Sequence, residues 1–196
     1  MKVSLTIVYI LALIYHSCIA LDDNRDSWQQ PEKIMDTVGI REGMVIGEVG
    51  AGEGYFTFKL AKRVGSNGFV YANDIKARVL KIIERRCEEE GYNNIKTVLG
   101  EVDDPKFPKN ELDMVIMVIA FHDFAKPVEL MQNLKASLKP TATVVIVERD
   151  PDKWEHGRHH FMTKDEILKT VENANYELLR IETFLPRDNI FIYKPK

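Results

Sequence analysis

The stretch Val45–Gly54 reads VIGEVGAGEG and decides the fold of this chain. Its apolar start is typical of a short buried strand, and a glycine follows at positions 50, 52 and 54. Apolar residues then recur at helical spacing, at Phe56, Leu60 and Val64. A strand, a glycine-rich turn and a helix in this order indicate the first unit of a parallel α/β sheet.

Strand and helix patterns alternate through the rest of the chain. Strands are predicted at 44–47, 68–72, 94–99, 114–121, 143–147, 176–185 and 189–193. The helix before the fifth strand is expected to stop at Pro140, and a capping box at Thr163–Glu166 opens the last helix. Only three residues separate the last two strands, which is too short for a helical crossover. The sequence therefore predicts an α/β fold with a Rossmann-like, doubly wound, seven-stranded sheet, mostly parallel with an antiparallel last strand.

Composition and charge exclude several classes of protein. The chain has 196 residues, about one domain, with 27 Lys and Arg against 30 Asp and Glu. A net charge of −3 provides no basic field for nucleic acid, so no nucleic-acid partner is expected. The two cysteines, Cys18 and Cys87, are too few for a disulfide scaffold or a cysteine-built zinc site.

The first twenty residues have the pattern of a secretory signal. A positive start at Lys2 precedes the uncharged apolar stretch 3–15, and small residues at Cys18 and Ala20 suit a cleavage site. The alternative is an uncleaved membrane anchor, because the 19 residues 3–21 are just long enough to span a bilayer. We expect a signal peptide at 1–20 and an exported domain at 21–196, with membrane attachment only if the segment is not cleaved.

The glycine-rich turn and one acidic residue together indicate a nucleoside ligand. Glycines let backbone N–H groups approach a ligand closely. Asp74 closes the second strand, twenty residues after Gly54, and its carboxylate can there accept hydrogen bonds from both hydroxyls of a ribose. The spacing is G-x-G-x-G rather than the dinucleotide pattern G-x-G-x-x-G, and Glu48 would repel a pyrophosphate but could reach an ammonium group. A cationic, phosphate-free nucleoside fits these residues better than NAD or ATP.

The residues 45–56 resemble the first motif of class I S-adenosylmethionine-dependent methyltransferases, above all small enzymes related to the ubiquinone/menaquinone methyltransferases. The resemblance continues, in the family's order, through 70–75, 98–104, 112–117 and 138–140. It implies S-adenosylmethionine as the cofactor and methyl transfer by in-line displacement to a small-molecule acceptor that the sequence does not name.

The same resemblance implies positions for the two parts of the cofactor. The methionine part would be wrapped by Glu48, Gly50, Gly52 and Gly54. The nucleoside would be held by Asp74 at the ribose, Ile75 on the adenine, Glu101 at the adenine amino group and the backbone of Val102 at the ring edge.

Histidines provide the remaining candidates for chemistry. His122 follows the most apolar strand pattern and is predicted to lie at the ligand-facing edge of the sheet, either as a general base or as a residue that shapes the pocket. Many methyl transfers need no base, because alignment of the reacting atoms supplies most of the rate. His156, His159 and His160 fit no familiar zinc spacing, so no metal is predicted and a lid on the substrate side is favoured over a metal site.

Two other functions stay open as alternatives. An exported, non-catalytic binding protein that keeps the fold is one, because S-adenosylmethionine is made in the cytosol. An NAD-dependent oxidoreductase is the other, and the glycine spacing disfavours it.

Overall fold

The structure, a computed structural model, describes residues 25–153 and 161–196. The expected signal segment 1–20 and the histidine-rich stretch 154–160 lie outside the described residues. The described residues form one seven-stranded sheet with helices on both faces.

The sheet has the order β3-β2-β1-β4-β5-β7-β6. Strands β1 to β5 pair in parallel, and β7 runs antiparallel to both β5 and β6. The predicted fold, mostly parallel with an antiparallel last strand, is confirmed. The strands are β1 Val45–Val49, β2 Phe69–Asp74, β3 Ile95–Leu99, β4 Leu112–Val118, β5 Leu138–Arg149, β6 Tyr176–Glu182 and β7 Asp188–Pro195.

Among the described residues, four full helices connect the strands, and a fifth helix and a helical stretch at 25–29 precede β1. The full helices are α1 Pro31–Val38, α2 Thr57–Val64, α3 Ala77–Glu90, α4 Pro127–Leu134 and α5 Lys164–Asn173. In the part of the chain that the structure describes, no helix is both long and apolar enough to cross a bilayer.

Alternate residues of the central strand β4 face two different halves of the core. Ile116 packs with the apolar faces of α1 and α2, whereas Val115 and Met117 pack with those of α4 and α5. Every residue of β4 except Asp113 is buried, because helices cover the sheet on both sides. Because β1, β2 and β4 run parallel, the connections that follow them emerge at the same edge of the sheet, where ligands bind in this class of fold.

Several predicted boundaries differ from the structure, and the end of α4 differs most. The helix expected to stop at Pro140 ends at Leu134 and continues as a 3₁₀ turn, Lys135–Ser137. Pro140 lies inside β5, where the register against β4 shifts between the pairs Leu112↔Leu138 and Met114↔Thr143. Because the ladder is irregular there, a residue without an N–H group interrupts no regular pairing.

Candidate active site

The glycine-rich turn is fixed against the neighbouring strands. The N–H groups of Gly50 and Ala51 both donate to the carbonyl oxygen of Asn73, at 2.9 and 2.8 Å. Gly50 has φ of 79°, and a Cβ atom there would lie 2.5 Å from the Cβ of Ala120. Only glycine satisfies both requirements, so the turn approaches the end of β4 as closely as backbone allows.

Asp74 ties the glycine turn to the start of α3. Its carboxylate accepts from the Gly52 N–H at 3.0 Å and from the Lys76 N–H at 2.9 Å. These hydrogen bonds hold the carboxylate at the carboxyl end of β2, facing the space beyond the sheet. The carboxylate therefore lies at the ligand-facing end of the sheet, where the sequence predicts it to hold a ribose.

A cavity of about 550 Å³, here called the apolar cavity, opens beside Asp74. Ile75 and Val102 line it although 53% and 41% of their surfaces are exposed, and Phe124 and Leu130 line it from the loop and helix after β4. Large apolar side chains left open at a cavity mouth favour a flat, apolar ligand group. The structure thus brings together Gly50, Gly52, Asp74, Ile75 and Val102, all of them site residues predicted from the sequence.

A second cavity of about 540 Å³ adjoins the first at the glycine turn. We call it the arginine cavity, because Arg25 and Arg149 line it together with Trp28, Tyr55 and Glu48. Gly50, Gly52 and Ile119 line both cavities, so the two lie side by side at the glycine turn.

Glu48 is a buried acid at the end of β1. Only 2% of its surface is exposed, and its carboxyl accepts a hydrogen bond from the Thr57 hydroxyl at 2.5 Å. Burial raises the pKa of Glu48 to about 8, although the Thr57 hydrogen bond and the positive charge of Arg25 oppose this rise. A cation placed in the arginine cavity would favour the ionised carboxylate.

Ile119, which lines both cavities, has an unusual backbone conformation. Its φ is 52°, in the left-handed region that costs a β-branched residue about 1–2 kcal/mol. Its N–H donates to the Val147 carbonyl at 2.8 Å, which holds the conformation in place. Backbone strain of this kind clusters at functional sites. No local sequence signal marks it.

His122 lies after β4 but lines neither cavity. Its Nδ1 is 2.9 Å from Oε2 of Glu148, and its backbone N–H donates to the same oxygen at 3.2 Å. Glu148 is fully buried, and its hydrogen bond raises the pKa of the His122 ring. A role for His122 as a general base therefore stays a prediction.

Two other predicted residues also lie outside both cavities. The Glu101 side chain is 66% exposed and pairs with Lys106 Nζ at 3.3 Å. Gly54 has φ of 90°, and a Cβ there would lie 2.7 Å from the ring of Phe58, so this glycine lets α2 pack closely. Direct contacts of Glu101 and Gly54 with the cofactor stay predictions.

The residues that sequence reasoning missed are Arg25 and Arg149. They come from the helical stretch 25–29 and from the end of β5, far apart in the chain. The fold brings them to one cavity from distant parts of the chain, so no motif could have found them.

A third cavity, of about 580 Å³, lies at the opposite edge of the sheet. Two of its charged groups are paired with each other: Asp113 accepts from Lys139 Nζ at 2.8 Å, and also from the Val45 N–H at 2.8 Å. None of the predicted site residues reaches it.

Comparison with known proteins identifies the class. The methyltransferase domain family matches residues 40–183, and the chain belongs to this family. The crystal structure of a SAM dependent methyltransferase from Aquifex aeolicus superposes with a TM-score of 0.82 and 25% identity, over 91% of this chain and 96% of that one. The fold and family together define a class I methyltransferase whose cofactor is S-adenosylmethionine.

Curated relatives agree in class. The ubiquinone/menaquinone biosynthesis C-methyltransferase UbiE of Idiomarina loihiensis is 25% identical over 115 residues, 58% of this chain and 46% of the relative. The demethylmenaquinone methyltransferase of Geobacillus stearothermophilus is 25% identical over 115 residues, 59% of this chain and 49% of the relative. The chain therefore spans about half the length of the curated relatives it matches.

Proposed function

We propose that the protein transfers a methyl group from S-adenosylmethionine to a small-molecule acceptor. The observation that carries this proposal is the junction of the apolar and arginine cavities at the glycine turn. When bound, S-adenosylmethionine supplies an electrophilic methyl group, which an acceptor lone pair takes in line while the carbon–sulfur bond breaks and leaves S-adenosylhomocysteine.

The residues of both cavities suit the two ends of this cofactor. Asp74 offers a carboxylate for ribose hydroxyls, and Ile75 and Val102 offer apolar surface for the adenine. Glu48 suits the methionine ammonium, since a cation in this cavity would lower the carboxyl pKa from its raised value. Gly50 and Gly52 keep the wall between the two parts free of side chains, so the cofactor can cross it.

His122 is the proposed acceptor of any proton that the methylated group loses. Glu148 holds Nδ1, so Nε2, which lies 3.6 Å from the Asp123 carboxylate, is the atom that would take the proton. The neighbouring Asp123 lines the apolar cavity. With this role, His122→Gln lowers kcat and leaves the affinity for S-adenosylhomocysteine unchanged.

Calorimetric titration and methyl transfer test the proposed function. We expect micromolar binding of S-adenosylmethionine and S-adenosylhomocysteine, no binding of NAD, and transfer of a labelled methyl group into a component of a small-molecule extract. Binding of NAD alone would favour an oxidoreductase. A folded protein that binds the cofactor and methylates nothing in such extracts would favour the non-catalytic alternative.

We also propose that residues 1–20 direct export of the domain at 21–196. The support is the order of a positive start, an apolar stretch and small residues before Leu21. N-terminal sequencing of the protein from its host should find a mature chain that begins at Leu21. A mature chain that keeps Met1 in the membrane fraction would support the anchor instead, and one in the cytosol would contradict both.

A further inference from the structure

The helical stretch 25–29 is a built part of the site. Asp26 accepts from the Tyr55 hydroxyl at 2.5 Å and from Lys59 Nζ at 2.6 Å, which joins the stretch to α2 and the turn before it. Gln29 is fully buried and donates to the Asp188 carboxylate at 3.4 Å, at the start of β7. Contacts to both halves of the sheet therefore fix the stretch beside the arginine cavity.

Arg25 is held in one orientation at the wall of that cavity. Its guanidinium carbon lies 3.6 Å from the centre of the Tyr55 ring, and its Nε donates to the Gln29 side-chain oxygen at 2.8 Å. Stacking fixes the plane of the guanidinium, and the Nε hydrogen bond fixes its rotation within that plane. A guanidinium positioned in advance loses little side-chain freedom when it binds an anion.

The charges of the arginine cavity match an amino acid zwitterion. Glu48 and Arg25 line the same cavity, and the positive charge of Arg25 acts on the Glu48 carboxyl. The methionine end of S-adenosylmethionine carries one ammonium and one carboxylate. An ammonium suits a carboxylate such as Glu48, and a carboxylate suits the planar fork of a guanidinium.

The second guanidinium of the cavity faces a different set of groups. Arg149 lies 5.1 Å from the centre of the Phe161 ring, and its charge acts on His122 and on the buried Asp188. The charges of both arginines act on Asp188, but that of Arg25 acts on Glu48 and that of Arg149 acts on His122.

We propose that Arg25 binds the carboxylate of the methionine part of S-adenosylmethionine, so that the helical stretch 25–29 completes the cofactor site. The inference rests on the proposed function and adds the group that recognises the acidic end of the cofactor. The alternative is that Arg25 binds the methyl acceptor, and the experiment below distinguishes the two assignments.

The test compares two ligands that differ only in the carboxylate, S-adenosylmethionine and decarboxylated S-adenosylmethionine. Arg25→Gln should weaken the binding of S-adenosylmethionine about tenfold to a hundredfold, the effect of losing a charge-assisted hydrogen bond. The binding of the decarboxylated compound should change less than about twofold, because it has no group for Arg25 to bind. Arg25→Lys, which keeps the charge without the planar fork, should give an intermediate affinity.

Arg187→Gln is the matched control. Arg187 contacts the helical stretch 25–29 from the loop before β7, with its guanidinium 4.9 Å from the centre of the Trp28 ring. It does not line the arginine cavity, so the substitution should leave the affinities for both ligands unchanged. Equal weakening of both ligands by Arg25→Gln would reveal a purely structural role and overturn the inference. Unchanged binding of both would overturn it in favour of the acceptor. Failure of S-adenosylmethionine itself to bind the wild-type protein would instead overturn the proposed function.

Discussion

The apolar cavity and the arginine cavity have nearly the same volume and share the glycine turn, yet different kinds of residue line them. The apolar cavity consists of the glycine turn and of apolar side chains close to strand ends, with Asp74 as its ordered carboxylate. The arginine cavity consists of long side chains from distant parts of the chain around the buried acid Glu48.

This difference separates two kinds of recognition. Backbone and apolar surface select the shape of a ligand and are insensitive to pH. Buried acids and guanidiniums select charge, and their protonation depends on the ligand and on pH. Substitutions in the first cavity should therefore alter folding and affinity, whereas substitutions in the second should alter charge selectivity and pH dependence.

The largest loss of stability is expected from substitutions in the glycine turn that both cavities share. Gly50→Ala places a Cβ 2.5 Å from that of Ala120 at φ of 79°, and we expect a loss of about 3 kcal/mol in the free energy of unfolding. Gly52→Ala has φ of 55° but no atom within 4 Å of the new Cβ, so about 1 kcal/mol is expected.

Urea denaturation measures both variants. The Gly52→Ala protein should remain folded yet bind S-adenosylhomocysteine weakly, because the new methyl group points toward open space in the wall that both cavities share. Equal destabilisation by the two substitutions would contradict the close approach of the turn to β4.

Asp74→Ala is expected to weaken cofactor binding about a hundredfold. The substitution removes a charged acceptor for the ribose and also frees the Gly52 and Lys76 N–H groups that it holds. Asp123→Ala is the control, since Asp123 lines the same cavity with a side chain that is 76% exposed. Calorimetry should show less than a threefold change for Asp123→Ala, and a similar loss in both variants would argue against a special role for Asp74.

Glu48 should make stability depend on pH. Its pKa is about 8 in the folded protein against an ordinary value of 4.5, so the folded state holds the proton more tightly than the unfolded state. The resulting stabilisation is complete below about pH 4.5 and is lost as the pH rises to about 8. Asp188, with a pKa of about 6, and His122, whose pKa is also raised, act in the same direction.

Glu48→Gln should therefore flatten the decline of stability between pH 6 and 8, by about 1–3 kcal/mol in the free energy of unfolding. Glu53→Gln, an exposed acid of the same cavity, should leave the decline as it is in the wild type. Urea denaturation at the two pH values gives the answer, and an unchanged slope in Glu48→Gln would refute the raised pKa.

The smallest effect on stability is expected from a substitution in the His122–Glu148 pair. The hydrogen bond from Glu148 raises the pKa of His122, so Glu148→Gln should lower it, as measured by NMR titration of the imidazole ring. The loss of stability should be about 1 kcal/mol, because the amide oxygen can still accept one hydrogen bond. A His122 titration that does not move would show that the pair has no electrostatic role.

The two cavities also differ in how far the sequence predicts them. Gly50, Asp74 and Val102 lie within a few residues of predicted strand ends, and parallel strands bring those ends to one edge. Local pattern therefore suffices for the apolar cavity. The direction of β7 was predictable too, because the length of its connection to β6 allows no crossover.

The rest depends on contacts that no local pattern encodes. Arg25 lies in the same cavity as Glu48 because the helical stretch 25–29 is hydrogen-bonded to Tyr55 and to Asp188. The left-handed backbone of Ile119 follows from its fit between β5 and the glycine turn, since an isolated isoleucine avoids that conformation. Sequence reasoning thus found the half of the site built from backbone and missed the half built from distant side chains.

The most direct test of the account is a crystal structure of the protein with S-adenosylhomocysteine. We expect the adenine between Ile75 and Val102, the ribose on Asp74, and the amino acid end in the arginine cavity beside Glu48 and Arg25. A ligand bound instead in the cavity at the opposite edge, beside Arg41 and Lys139, would contradict the central claim that the glycine turn joins two cavities into one cofactor site.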